Sequence, residues 1–205
     1  DGSDDGSPEE LQRVAEAAAN VRVVTFSRNF GQVPAVTAGL REVSGDAAIV
    51  LSADLQEPIE KVEEMIRCWR RGSQVVICYR QSRSDPPVAR WTSRVFYWLI
   101  HLSLPQMPPT GFDFFLLDRR PLEILNQFEE RNRFFQGDVL WLGFPTTMLP
   151  YSRLQREIGV SQWSLGKKLK YFIDGLIGTS YWPIRLMSAL GIATFGAGAL
   201  YSGII

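Results

Sequence analysis

The chain has 205 residues, 45% of them hydrophobic and 12% aromatic, with 22 basic side chains balanced by 22 acidic ones. This composition excludes a disordered tail as the main content, and the absence of net charge excludes a nucleic-acid binder, whose electrostatic footprint is a basic excess. At about 150 residues per domain, the length suits one sizeable core plus an appendage.

In chain order, Ser7-Pro8-Glu9-Glu10 reads as a helix start, with Ser7 as the capping hydroxyl, proline at the first helical position and glutamate completing a capping box. This helix is expected to run to about Ala19. Val21 to Phe26 reads as a strand and Pro34 to Glu42 as a helix. Ala47 to Ala53 is a second strand, Pro58 to Arg70 a helix and Val75 to Tyr79 a third strand. The alternation predicts a mostly parallel sheet, with ligands beyond the carboxyl ends of its strands. A polar loop, Arg80 to Pro87, precedes an aromatic-rich helix from about Arg90 to Leu102. Beyond the turn PQMPPTG come a strand at Phe114 to Leu117, a helix from about Pro121, another over Phe135 to Leu142, and an edge strand over Phe144 to Pro150.

The last part of the chain changes class. Leu165 to Ile177 is amphipathic, interleaving Lys167, Lys168 and Lys170 with Leu169, Phe172, Ile173 and Leu176, a pattern suited to a bilayer interface. Leu186 to Ile205 carries no charge, and at about 1.5 Å per residue it spans a hydrocarbon core of about 30 Å. The lysines and Arg185 on its near side place the preceding domain in the cytoplasm by the positive-inside tendency. Cys68 and Cys78 fall on a helix and a buried strand, as small hydrophobes in a reduced compartment. With Asp1 first and no leader before the acidic cluster, the expectation is a piece cut from a longer protein.

His101 has no Cys or acidic neighbour at ligand spacing, so neither a zinc site nor Ser-His-Asp hydrolysis is expected, and neither GxGxxG nor GxxxxGK[ST] follows a strand. What remains lies just past strands. In LSADLQEP, Asp54 and Gln56 are two apart and, along extended chain, share one face. A carboxylate with an amide oxygen makes half a shell for Mg²⁺ or Mn²⁺, and the competing role for Asp54 is a cap on the helix from Pro58. DGSDDGS offers Asp1, Ser3, Asp5 and Ser7 in a Gly-bearing turn that can approach a nucleotide or cap a helix. The glutamates at 57, 60, 63 and 64 read as a solvated helix face. Arg80, Arg83, Arg90 and Arg94 form one basic group and Arg153, Arg156, Lys167 and Lys168 another, and guanidinium forks suit phosphate.

DGSDDGS, SRNFG, SADLQEP, GFDFFLLDRR, YSRLQR and the terminal apolar span, in this order, resemble the family 2 glycosyltransferases that act on polyprenyl phosphates, the group of dolichol-phosphate mannosyltransferase and the bactoprenol glucosyltransferases. The resemblance implies a GT-A fold, α/β with helices flanking a mostly parallel sheet. It covers residues 1–160 as a catalytic domain lacking its first strand, 161–185 as a juxtamembrane segment and 186–205 as a first transmembrane helix.

By position, it implies Asp1, Ser3 and Asp54 in the pocket of a UDP- or GDP-sugar donor, and Asp54 with Gln56 holding Mg²⁺ or Mn²⁺ on the donor diphosphate. It further implies Asp113 as catalytic base, and Arg80, Arg90 and Ser93, with the pair Arg153 and Arg156, around a polyprenyl phosphate acceptor at the cell membrane. A homo-oligomer is compatible with it. The chain departs from the pattern at Ser52, where many relatives carry the first Asp of a DxD motif, at Phe115, where many carry Arg, and at Gln162, where Lys is frequent. The expected chemistry is an inverting transfer, with this piece alone inactive. The competing reading is a non-catalytic membrane subunit that binds a partner glycosyltransferase or the lipid carrier. A processive synthase of the same fold is disfavoured by the lack of a QxxRW motif, SQWSLGKK being the nearest string.

Overall fold

The computed structural model describes residues 1–81, 98, 100–130, 133–154 and 165–204. Among these, a four-stranded sheet is built from β1 (Ala47–Val50), β2 (Val75–Arg80), β3 (Phe114–Asp118) and β4 (Thr146–Tyr151), in the order β1-β3-β2-β4. β3 pairs antiparallel with both β1 and β2, whereas β2 and β4 are parallel. Three of the four strands therefore share a direction, as the alternating pattern predicts, and the sheet is mixed because β3 is inserted against them. β4 is an edge strand that carries Pro150, a residue with no N–H to give to a further ladder.

Both faces of the sheet are covered, which is why its central strands read as unbroken apolar runs rather than alternating ones. The two-residue period sends Val75 and Ile77 of β2, with Phe115 and Leu117 of β3, to one face. There they meet Leu40 of α2 (Gln32–Arg41), Leu122 and Leu125 of α4 (Arg119–Leu125), and Val139 and Leu140 of α5 (Phe135–Trp141). Val76, Cys78, Phe114 and Leu116 face the other way, onto Met65, Val62, Ile66 and Trp69 of α3 (Glu60–Arg70). Trp69 donates its indole N–H to Asp118 Oδ2 at 2.7 Å, while Oδ1 of the same carboxylate caps α4 by accepting from Arg120 N. Cys78 is a buried hydrophobe whose thiol is pushed up to about 12 by burial, and Cys68 is also free.

Several local expectations are corrected. Ser7 does not cap α1 (Ser7–Ala17): it is the first helical residue, Gly6 takes the cap position at φ 81, and Asp5 Oδ1 accepts from Ser7 N. Val21 to Phe26 forms no strand. β1 pairs only with β3, and without a ladder for its own N–H and C=O groups a β-prone segment stays irregular, here with Val21 and Val24 exposed. β1 also stops at Val50 rather than Ala53. Of the aromatic-rich helix expected from Arg90, residues 98 and 100–103 are helical and the rest lies outside the described residues.

The C-terminal part is two helices, α6 (Leu165–Thr179) and α7 (Trp182–Ile204). α6 approaches the domain through Gly175, where a Cβ would lie 3.3 Å from the Phe134 ring and 3.5 Å from Ile100, while Ile173 and Ile177 stay exposed. Ser180 Oγ accepts from Trp182 N at the start of α7. The span Trp182–Gly203 is long and apolar enough to cross a membrane, and none of it is buried against the protein. At about 1.5 Å per residue, the 23 residues of α7 measure about 34 Å.

Candidate active site

Because β1, β2 and β4 run the same way, their carboxyl ends share one edge of the sheet, and the amino end of the reversed β3 lies there too. That geometry gathers four sequence-distant residues. Asp54 follows β1, Arg80 ends β2, Asp113 immediately precedes β3 and Arg153 lies two residues beyond β4.

The loop after β1 is not extended. Leu55 adopts φ 55, a left-handed conformation that is uncommon outside glycine and clusters at functional sites. Asp54 and Gln56 are therefore not brought together by a strand pleat. A turn does it instead, in which Asp54 Oδ1 accepts from Gln56 N at 3.4 Å. Nor does Asp54 cap the next helix, since α3 starts after Ile59 with no side-chain cap. The loop is zipped to the segment after β4: Leu154 N donates to Gln56 O at 3.0 Å, Gln56 Nε2 donates to Leu154 O at 3.2 Å, and Arg153 Nη2 reaches Asp54 Oδ2 at 3.5 Å.

A second ion pair lies on the same edge. Arg80 Nη2 is 3.7 Å from Asp113 Oδ2, and Arg80 Nε donates to the Tyr151 hydroxyl at 3.4 Å. Thr110 Oγ1 donates to Arg80 O, and the buried Gln136 of α5 donates from Nε2 to Phe112 O at 2.6 Å and to Asp113 Oδ1 at 3.3 Å. Burial works against the Arg80 charge, yet the Tyr151 hydroxyl together with Asp113 and Glu57 raises its pKa above the ordinary guanidinium value. Arg153 moves the other way, lowered by burial and by the like charge of Arg80.

Glu57 corrects the reading of a solvated glutamate face: it is 3% exposed, and among the described residues neither carboxylate oxygen has a hydrogen-bond partner. Burial first, then the field of Asp54, raises its pKa against the opposing pull of Arg153 and Arg80. Asp54, Arg153, Arg80 and Asp113 thus all lie within electrostatic reach of one buried carboxyl. Gln136 carried no mark in the sequence, and Tyr151 entered only as the first residue of the YSRLQR string. The available signal for Gln136 was a lone amide directly after Phe134 and Phe135 in RFFQGDVL.

Residues 1–141 match the family model described as Glycosyl transferase family 2. The chain belongs to this family. It is 37% identical over 207 residues to the uncharacterized glycosyltransferase YkcC of Bacillus subtilis (strain 168), covering 100% of this chain and 64% of that protein. It is 34% identical over 203 residues to the bactoprenol glucosyl transferase of Shigella phage SfV, covering 98% of this chain and 66% of that one. The chain thus spans a little under two thirds of the curated relatives it matches. Among solved structures, glucosyl-3-phosphoglycerate synthase from Mycobacterium tuberculosis, crystallised with Mn²⁺, UDP-glucose and glycerol 3-phosphate, superposes with a TM-score of 0.45 at 18% identity over 87% of this chain and 64% of that one.

In this glycosyltransferase family 2 chain, two of the motifs read from the sequence are physically joined. Both oxygens of Asp1 accept backbone N–H groups of the SRNFG loop, from Phe30 to Oδ1 and from Gly31 to Oδ2, each at 2.7 Å. Gly2 makes this approach possible at φ 60, because a Cβ there would fall 2.4 Å from Asn29 N. Ser3 is exposed beside them. Arg83, Arg90, Ser93, Arg94, Arg156 and Gln162 lie outside the described residues, as do the side chains of Lys167 and Lys168.

The donor set for a hard divalent cation is compatible with the loop after β1, which presents the Asp54 carboxylate, the Gln56 amide oxygen and the unpartnered oxygens of Glu57. Among the described residues no three His, Cys, Asp or Glu side chains cluster at ligand spacing, so diphosphate oxygens and water would have to complete the shell.

Proposed function

We propose that this family 2 glycosyltransferase transfers a sugar from a UDP- or GDP-sugar to a polyprenyl phosphate at the cytoplasmic face of the cell membrane, with inversion at the anomeric carbon. The observation that carries the reading is the presence of two ion pairs, Arg153 with Asp54 and Arg80 with Asp113, on the edge where the carboxyl ends of three strands meet. A site with two carboxylates and two guanidinium groups around a buried carboxyl suits a reaction in which one phosphate group arrives and a diphosphate departs.

The acceptor phosphate, with a second pKa near ~6, is largely dianionic at pH 7 and is itself the nucleophile. Its oxygen forms the new bond to the anomeric carbon as the bond to the nucleoside diphosphate breaks. Arg80 and Arg153, with Arg90, Ser93 and Arg156, hold the acceptor phosphate and offset its charge. Asp1 and Ser3 belong to the donor pocket, and Asp54 with Gln56 would hold Mg²⁺ or Mn²⁺. When bound, the cation neutralises charge on the departing diphosphate. Asp113 orients the acceptor or takes a residual proton, a lighter task than deprotonating an alcohol. The exposed apolar length of α7 and the outward Ile173 and Ile177 of α6 support a membrane-anchored enzyme with an interfacial helix ahead of this apolar span.

The test is transfer of labelled sugar from a panel of UDP- and GDP-sugars to undecaprenyl or dolichyl phosphate by full-length protein in membranes, with Mg²⁺ or Mn²⁺ and an EDTA control. An organic-extractable, EDTA-sensitive product is expected. Absence of product from every donor, with an active relative run in parallel, would favour a non-catalytic membrane subunit.

A further inference from the structure

Gln136 is placed where a side chain of its kind is costly. It is 5% exposed on α5, among the buried Phe134, Phe135, Val139 and Leu140, and its Oε1 has no hydrogen-bond partner among the described residues. Burying an amide with an unsatisfied oxygen opposes folding, so a position serving packing alone would be better filled by an apolar side chain of the same volume. What the amide provides instead is its nitrogen. Both atoms that the nitrogen faces, Phe112 O at 2.6 Å and Asp113 Oδ1 at 3.3 Å, are acceptors. The reversed amide orientation would set oxygen against oxygen, so the two contacts determine which end points inward.

One NH₂ group therefore fixes the backbone just before Asp113 and one oxygen of its carboxylate. The other oxygen faces Arg80 of β2 at 3.7 Å. The carboxylate itself is 41% exposed, so without these two holds it would be free to turn toward solvent. The same turn is secured at Thr110, which donates to Arg80 O, and at Gly111, which sits at φ 64.

We propose that Gln136 is a positioning residue: it clamps the turn before β3 so that the Asp113 carboxylate meets the acceptor phosphate and Arg80 in one fixed orientation. This inference rests on the role assigned to Asp113 above. Gln136 itself touches no substrate and acts through Asp113.

The test uses full-length protein in membranes, with UDP-glucose and the other panel donors and undecaprenyl phosphate, and compares Gln136→Met and Gln136→Glu with Asp113→Asn. Gln136→Met keeps the volume and removes the donor. It is expected to lower kcat by about 10- to 100-fold, the scale of a small misplacement of a reacting group, with donor KM changed less than about twofold. Gln136→Glu sets acceptors against acceptors and is expected to lower kcat at least as far. With the folded fraction measured in parallel, a purely structural role would lower that fraction and leave kcat per folded molecule at the wild-type value.

A second readout does not depend on turnover. The side-chain amide protons of Gln136, assigned by their loss in Gln136→Met, are expected to resist solvent exchange and to shift in Asp113→Asn. Wild-type kcat in Gln136→Met alongside an inactive Asp113→Asn overturns the clamp alone. Full activity in Asp113→Asn, or no transfer by wild type, overturns the functional reading instead. Even then, amide protons exchanging as freely as those of exposed glutamines would overturn the clamp, and protected ones would support it.

Discussion

Arg153 Nη2 lies 3.5 Å from Asp54 Oδ2, a contact between residues 99 apart in sequence that ties the loop after β1 to the segment after β4. Asp54 is also the carboxylate proposed above to hold the divalent cation. A guanidinium at that distance and a metal ion compete for the same charge, so the two functions of the site are electrostatically opposed when donor is absent.

Arg153→Met is therefore expected to tighten Mn²⁺ binding while lowering transfer. Two unit charges at about 4 Å interact by about 1 kcal/mol in a water-like dielectric, so affinity should rise by about fivefold. Mn²⁺ titration of the full-length protein followed by electron paramagnetic resonance reads this directly, and acceptor KM should rise in the same variant. Unchanged or weaker Mn²⁺ binding would separate Arg153 from the metal site.

Arg80 makes a different kind of contact, with Nε on the Tyr151 hydroxyl and Nη2 toward Asp113. Only a planar fork serves both partners at once, and a lysine ammonium is a point charge on a flexible stem. Arg80→Lys is expected to raise acceptor KM by about tenfold despite the retained charge, the equivalent of about one charge-assisted hydrogen bond. Initial rates at fixed donor and varied polyprenyl phosphate measure it.

Glu57 allows a prediction about pH. Unfolded, its carboxyl titrates at an ordinary value near about 4.3. Folded, burial and the neighbouring Asp54 raise that value. Its contribution to stability is full below the unfolded value and is lost as the pH rises through the folded one, where an ionised group must stay buried without a partner. Glu57→Gln, which keeps the shape without the charge, should leave Tm nearly unchanged at pH 4 and raise it at pH 7.5. Thermal unfolding of both proteins in EDTA is the measurement. An equal shift at both pH values would mean that packing, not ionisation, is at issue.

The parts of this architecture that were legible in the sequence are those fixed by local chemistry. VVICYR and FFLLD are apolar because both sheet faces are covered, and both strands lie within a residue of their expected bounds. α7 was legible from its uninterrupted apolar run. The reversal of β3 was not, because a buried strand has the same composition in either direction. That reversal brings Asp113 to the same edge as Asp54, so the family resemblance pointed to Asp113 where the element pattern could not. Glu57 was grouped with the glutamates of α3 by proximity alone. The left-handed turn at Leu55, which precedes it by two residues, cannot be read from a leucine.

A second buried charge outside the site tests how polar groups are tolerated in this core. The Arg133 side chain is 4% exposed, with Nε 2.8 Å from Asp138 Oδ2 and its guanidinium 5.2 Å from the Phe128 ring and 5.7 Å from that of Phe135. Nη1 and Nη2 have no partner, so Asp138 is the one carboxylate in contact that balances the charge among the described residues. Removing one member of such a pair leaves a buried charge uncompensated and typically costs about 3–5 kcal/mol, whereas replacing both members by apolar groups is often neutral or stabilising. Asp138 is itself a quarter exposed, so Asp138→Asn is expected near the lower end, about 3 kcal/mol, with a clear fall in Tm. Arg133→Met also strips Asp138 of its partner, but that carboxylate keeps a path to solvent and the methionine packs between the same two phenylalanines, so its cost should be smaller than that of Asp138→Asn. In the double variant the asparagine no longer faces a cation, so most of the loss should be recovered, a non-additivity that a double-mutant cycle in thermal unfolding detects. Additive losses in that cycle would show that the ion pair contributes nothing beyond the two side chains taken separately.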